Sequence, residues 1–357
     1  MRPRRAPLAL ALCVGAALGA APAPPAAAPV LAPSFFPTWQ ARNVAFPFVL
    51  PGPDGDRLYY AGSGAAQLNE SVADQWSTGL ARSRGGAAWT RPDDYQPVLR
   101  GTRFADGEVV GPAARARFDA LSAFGVSVVR EAPARYRMYY TGWNGDDQVD
   151  AEGRAQPVHG AIGLATSEDG ARWTKREDAV LAADPARPAE SRGVGQPFAR
   201  REGAAWRLWY EAFDGVTWRI ASARSEDGVA WTREGVVLEP GPAGALDEKG
   251  ARNPVVIRRR GRFELWYQGR SARPPFFHVL RATGDDGVHW TRVAGEVDLR
   301  LRPALGAEEE VHADSVLVEA DGACRVFLGR QQTLRRATAV GEAVSRSFSI
   351  FSVRVDP

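Results

Sequence analysis

The stretch IGLATSEDGARWT, residues 162–174, recurs as IASARSEDGVAWT (220–232) and again as VLRATGDDGVHWT (279–291). Its Asp-Gly pair is flanked by short runs of β-branched and apolar residues, a pattern that reads as two strands and a tight turn. A type I′ turn, with positive φ at both central residues, is the expected connection. Asp169, Asp227 and Asp286 are then turn residues rather than reacting groups.

The phrase belongs to a longer repeat. Each unit has a short apolar first strand, then an aromatic second strand: LYYAG (58–62), MYYTG (138–142), LWYEA (208–212) and LWYQG (265–269). A third strand runs into the Asp-Gly turn, and a fourth begins at the Trp that follows. Trp89, Trp173, Trp231 and Trp290 close four units; a fifth, starting near HADSVLV (312–318), stops after its third strand. The prediction is an all-β, five-bladed β-propeller of four-stranded antiparallel blades, a design that protects sheet edges by radial repetition. The segment around SFFPTWQ (34–40) is expected to supply the missing strand and close the ring.

Residues 1–29 read as a secretory signal peptide: MRPRR, an apolar run too short to span a membrane, then small residues and prolines. The remaining 30–357 form one domain, expected to be secreted or periplasmic and monomeric. The formal charge of +3 falls to about zero once the three leading arginines are removed, which gives no electrostatic case for nucleic acid or an anionic membrane. Cys324 is then the only cysteine, so neither an intramolecular disulfide nor a cysteine metal cluster can form. No phosphate loop, dinucleotide fingerprint, zinc-binding helix or nucleophile elbow occurs.

In a four-stranded meander the Asp-Gly turns share one face with the first-to-second turns. The long second-to-third loops, 63–75 and 144–160, share the other. Long loops on one rim are where a binding pocket is expected.

The second-strand motif, the S-x-D-G-x-x-W turns and the proline-led first strands GQPF and RNPVV resemble the five-bladed glycosidases of the arabinanase, levansucrase and invertase type, glycoside hydrolase families 43 and 32. The resemblance covers essentially the whole of 30–357. It implies a carbohydrate ligand and a pair of carboxylates, one acting as acid and the other as base or nucleophile. In the family these stand on the first strands of units one to three. Here the matching stretches are NVAFP with Phe46, SAFGVSV, and GVGQP with Gly195 and Gln196, none of them acidic.

Other carboxylates are therefore the candidates. Asp119 and Asp247 stand at matching offsets in the links between units, as do Glu190 and Glu308; the two readings are a ring of ligands or a set of structural caps, and recurrence favours caps. Glu211 is unique to its unit, where the others have Ala61, Thr141 and Gln268. Two readings are open for it: a carboxyl beside Trp209 and Phe213 with the raised pKa of a general acid, or a structural Glu paired with an arginine. Asp314 immediately precedes SVLV, with His312 two residues earlier; a structural Ca²⁺ near that histidine is a weaker expectation, and no other cofactor is implied. Asn43, Gln196, Arg252 and Asn253 are placed to recognise hydroxyls, and Trp143 or Trp39 to stack on a sugar.

Three readings follow. One is a secreted glycosidase acting on a furanoside or related glycan; the second is a carbohydrate-binding propeller without catalysis. The third is a phosphorylase-like enzyme using Arg192 or Arg252 for phosphate.

Overall fold

The computed structural model of the chain describes residues 28–34, 39–64, 75–86, 88–93, 96–102, 117–144, 147–149, 155–157, 160–299, 309–338 and 341–356, with the backbone alone for 147–149, 155–157, 333–338 and 341–346. Five antiparallel units follow one another. Their first three strands are Asn43–Leu50, Asp56–Ser63 and Ser77–Ser83; Ser122–Ala132, Arg135–Trp143 and Ala161–Ser167; Gly193–Glu202, Ala205–Phe213 and Trp218–Ser225; Gly250–Arg259, Arg262–Arg270 and Phe277–Gly284; and Val311–Val318, Cys324–Thr338 and Gly341–Val355. Fourth strands such as Thr232–Leu238 and Thr291–Arg292 add to the third.

The middles of the second strands are buried on both faces, as at 58–61, 138–141, 208–212 and 265–269. Each sheet packs against the next through its own apolar cluster. One such cluster joins units one and two around Tyr59, Met138 and Tyr140. The last joins units five and one, with Phe327 and Ile350 against Val44 and Leu58. The described sheets therefore close into a ring, a β-propeller.

The described part of the N-terminal segment meets the last strand. Residues 35–38 lie outside the described residues, and it is Leu31 that pairs with Ile350 of the last strand. Val30 donates its N–H to the Ile350 carbonyl at 2.8 Å, and Ile350 donates back to Leu31 at 2.8 Å.

The Asp-Gly turns also differ from the type I′ expectation. Only the glycines have positive φ: 68° at Gly170, 71° at Gly228 and 79° at Gly287. The aspartate carboxylate builds the loop instead: Asp169 Oδ1 accepts the N–H groups of Ala171 and Arg172, both at 2.8 Å. Tyr59 of the preceding unit caps the Gly170 carbonyl at 2.7 Å, as Tyr139 caps Gly228 at 2.8 Å and Trp209 caps Gly287 at 2.7 Å. Because Arg57, just past a first-to-second turn, bonds the Asp169 carbonyl, both kinds of turn lie on one face.

Candidate functional site

Every first strand carries a register skip where it meets the axis, between Ala45 and Phe48, Phe124 and Ser127, Gly195 and Phe198, Arg252 and Val255, and Ala313 and Ser315. A bulge re-aims a side chain. The residues inside these skips, Phe46, Gly125, Gln196, Asn253 and Asp314, converge on one axial cavity. Phe46, Gln196 and Asn253 hold φ of 49°, 44° and 50°. That left-handed conformation costs on the order of 1 kcal/mol for a residue with a side chain, and such outliers concentrate at working sites.

One side of the axis is charged. Glu211 has no exposed surface; its Oε1 accepts the Asn253 backbone N–H at 2.9 Å and faces Arg252 Nε at 3.4 Å. Burial pushes the Glu211 pKa up, against the opposing pull of Arg252 and the Asn253 N–H. Arg252 itself lies over the Trp218 ring at 4.5 Å. Asn253 reaches Asp314 as well, from Nδ2 to Oδ1 at 3.4 Å. Asp314 is bonded to His312 Nδ1 at 2.5 Å. Burial raises the Asp314 carboxyl; burial alone would depress His312, but the neighbouring carboxylate overrides it and holds the imidazole above its ordinary value. Glu310, which accepts from Gln268 Nε2 at 3.3 Å, adds negative potential felt by Glu211, His312 and Asp314.

The other side is aromatic. Phe46 stacks on the His312 ring with centroids 4.6 Å apart and touches Trp76 and Phe124, each at 5.7 Å. Trp76 immediately precedes the third strand of unit one, at the place where Trp218 opens that of unit three. Phe124 stands before its bulge as Arg252 stands before Asn253. Equivalent positions of the ring thus make an apolar wall at units one and two and a charged wall at units three to five.

Four nearly buried polar atoms around this axis have no hydrogen-bond partner among the described residues: Gln196 Nε2, Asn253 Oδ1, Gln268 Oε1 and His312 Nε2. Native chains rarely leave such atoms unpaired, so the set suits a polar ligand or ordered water. A Ca²⁺ fits less well. His312 Nδ1 is already taken by Asp314, its ring is stacked on Phe46, and no group of three His, Cys, Asp or Glu converges among the described residues.

The link acids are placed differently. Asp119, Glu190 and Asp247 each accept a second-strand tyrosine hydroxyl, from Tyr140 at 2.9 Å, Tyr210 at 2.8 Å and Tyr267 at 2.9 Å. Each also pairs with the cation that follows a Trp-Thr: Lys175 at 2.6 Å, Arg233 at 3.0 Å and Arg292 at 2.8 Å. Unit one repeats the arrangement with Gln40, Tyr60 and Arg91. Burial would raise Asp119, yet Lys175 and the hydroxyls of Thr102 and Tyr140 hold it below the usual carboxylate range. The same device recurs in units one to four; Glu308 lies outside the described residues.

Asn43 bonds Ser63 Oγ at 2.8 Å and accepts the Phe348 N–H at 3.0 Å, joining units one and five. Trp143 is buried, Trp39 stacks on Tyr60, and Arg192 is exposed. Of the sequence candidates, the axis gathers Glu211, Gln196, Arg252, Asn253, His312 and Asp314. The sequence reading missed Trp76 and Glu310. For Trp76 the available signal was its match to Trp218; for Glu310 no sequence signal existed.

No protein-family model matches the chain. An uncharacterized Mycobacterium tuberculosis protein, MT1551, is 29% identical over 277 residues, covering 74% of this chain and 81% of that one; Rv1502 of a second strain gives the same figures. Among solved structures, a glycosyl hydrolase from Bacteroides ovatus superposes with a TM-score of 0.63 at 16% identity, covering 94% of this chain and 93% of that one. The chain has the glycosidase-type propeller fold. A structure from the GH130 family, described as mannoside phosphorylases that contain glycoside hydrolases targeting β-1,2 mannosidic linkages in Candida mannan, gives the same TM-score of 0.63, identity of 16% and coverage of 94% and 93%. A thermostable family-43 glycoside hydrolase gives 0.55 at 13% identity, covering 90% and 95%. A glycosidase-type propeller hosts several chemistries, so the fold leaves the reaction to the site.

Proposed function

We propose that this chain is a glycan-acting enzyme of the glycoside hydrolase type, working at the axial site with Glu211 as acid and Asp314 as the second carboxylate. The observation that carries this reading is Asn253, whose backbone and side chain reach both carboxyls. A hydrolase needs two acids on one substrate, with environments that separate their roles. Glu211, raised by burial, supplies a proton to the departing glycosidic oxygen. Asp314, set by its bond to His312, either takes the proton of an attacking water or attacks the anomeric carbon itself. Glu211 is sealed beneath Arg252, so a sugar reaches it by displacing that guanidinium. The Phe46 and Trp76 wall receives the apolar face of the ring, while Gln196 and Asn253 offer amides to its hydroxyls. An N-terminal secretory signal, a location outside the cytoplasm and a monomeric state complete the proposal.

One observation favours a second reading. Arg252, fixed between Glu211 and Trp218, suits an anion, as in a phosphorylase where phosphate replaces water. Aryl furanosides and pyranosides assayed with and without inorganic phosphate separate the two. Hydrolysis independent of phosphate and lost in both Glu211→Gln and Asp314→Asn supports the first reading; strict phosphate dependence supports the second. No turnover, with sugar binding intact in both variants, removes both in favour of a binding propeller.

A further inference from the structure

On the face away from the axial site, we infer that a pocket at the edge of unit one binds a phosphate- or sulfate-type oxyanion. Four units share a counter-ion device across their first two strands. Glu131 pairs with Arg137 at 3.0 Å, Glu202 with Arg207 at 3.7 Å, Arg259 with Glu264 at 2.8 Å, and Glu319 with Arg325 at 2.6 Å. In each, the first-strand partner stands two residues beyond the position opposite the second-strand charge: Val129, Arg200, Ile257 and Leu317. In unit one Leu50 lies opposite Arg57, so the matching position is Gly52. No acid fits there, because a Cβ on Gly52 would stand 2.9 Å from the Gly55 carbonyl oxygen.

Arg57 is nonetheless directly opposite Arg82 on the third strand. Like charges facing across a ladder repel. The same Arg–Arg register occurs in units three and five, and carboxylates relieve it there. Glu234 faces Arg207 at 3.6 Å, and Glu319 bridges Arg325 and Arg354, each at 2.6 Å. In unit one a third guanidinium joins instead. Arg130 and Arg57 both lie over the Tyr136 ring, at 5.6 and 5.0 Å. These residues line a surface pocket of about 450 Å³, counting its open mouth, together with Asp54 and Asp56. Neither aspartate forms an ion pair with the three arginines among the described residues, so three guanidiniums meet two carboxylates that do not pair with them. An oxyanion seated between Arg82 and Arg130 supplies the counter-charge that the other units carry covalently, and guanidinium forks suit its geometry. The pocket is wider than the anion alone, so the anion is either free or the end group of a sugar.

The test titrates the purified chain with inorganic phosphate and, separately, with glucose 6-phosphate, at fixed ionic strength in a chloride background. A ligand that binds only the folded state raises Tm with its concentration. The expected result is a saturable rise above chloride, with affinity at least tenfold weaker in Arg82→Gln and in Arg130→Gln. Arg201→Gln, an exposed arginine on the same face whose side chain is bonded, among the described residues, only to the Gly203 carbonyl, is expected to behave as wild type. Equal affinity for the two probes assigns the site to the free anion; tighter glucose 6-phosphate assigns it to a sugar phosphate. A rise no greater than that of chloride, or one retained in both variants, means an adventitious ion only and overturns the proposal. The outcome is independent of the axial site, since none of these residues touches it.

Discussion

Glu211 and Asp314, from units three and five of the ring, are both held by Asn253: its N–H lies 2.9 Å from one carboxyl, and its amide 3.4 Å from the other. Neither unit alone supplies both carboxyls. The pair exists because an intervening unit sets its bulged residue in the left-handed region and directs backbone and side chain to opposite neighbours.

Glu211→Gln keeps the size of the side chain and its acceptor for the Asn253 N–H but removes the proton. Turnover is expected to fall about 10²- to 10⁴-fold, the usual contribution of a general acid. In the wild type, activity should decline as pH rises through the elevated Glu211 pKa, since only the neutral acid donates. That basic limb should be absent from the residual activity of Glu211→Gln, measured as kcat against pH.

His312 offers a spectroscopic check. Its pKa lies above the ordinary value because the Asp314 charge outweighs burial. Asp314→Asn removes the charge and leaves the burial, so the imidazole should titrate below about 6.5 by NMR. In the wild type the folded pKa is the higher one. The stabilisation that the His312 titration contributes is therefore complete below about pH 6.5 and lost as pH rises through the folded value.

The Asp-Gly turns should govern stability rather than turnover. The Asp227 carboxyl is held down to about 2, chiefly by the N–H groups of Val229 and Ala230. Its folded pKa is depressed, so its contribution is present above about pH 3.9 and disappears as pH falls toward 2. Melting temperatures of wild type and Asp227→Asn should differ at pH 6 and converge in that acid range. Asp169→Asn should likewise lower Tm and leave kcat unchanged.

Lys175 neutralises Asp119 in a cap with no exposed carboxyl surface. Lys175→Met should lower stability in denaturant unfolding, because it leaves the buried carboxylate with Arg117 at 3.5 Å and the Thr102 and Tyr140 hydroxyls as its remaining partners. Adding Asp119→Asn to that variant should restore part of the loss, which a role confined to chemistry would not do.

Ring closure gives the last expectation. Removing residues 28–34 takes away the backbone bonds between Val30, Leu31 and Ile350. Tm should drop, and the last strand, Gly341–Val355, should lose hydrogen-exchange protection before the strands of unit three.

What the sequence determined by itself is local and repeated. The Ser-x-Asp-Gly turn, the aromatic second strand and the Trp that follows are legible because each rests on neighbours within a few residues, and repetition multiplies a weak signal. The same logic made the link acids recognisable as a recurring feature; the cation after each Trp-Thr, which completes the cap, stood in the same repeat and went unread. The type I′ reading failed at Asp169 because a carboxylate capping two N–H groups builds a different loop from the same two residues. Leu31 could not be identified as the closing residue, since its partner Ile350 is more than 300 positions away. The axial site belonged wholly to the tertiary structure. Glu211, Asn253 and Asp314 lie on three different units, and Trp76 joins Phe46 and Phe124 only where units one and two meet. No spacing within one unit records such contacts; only ring closure and the aligned bulges bring these side chains together.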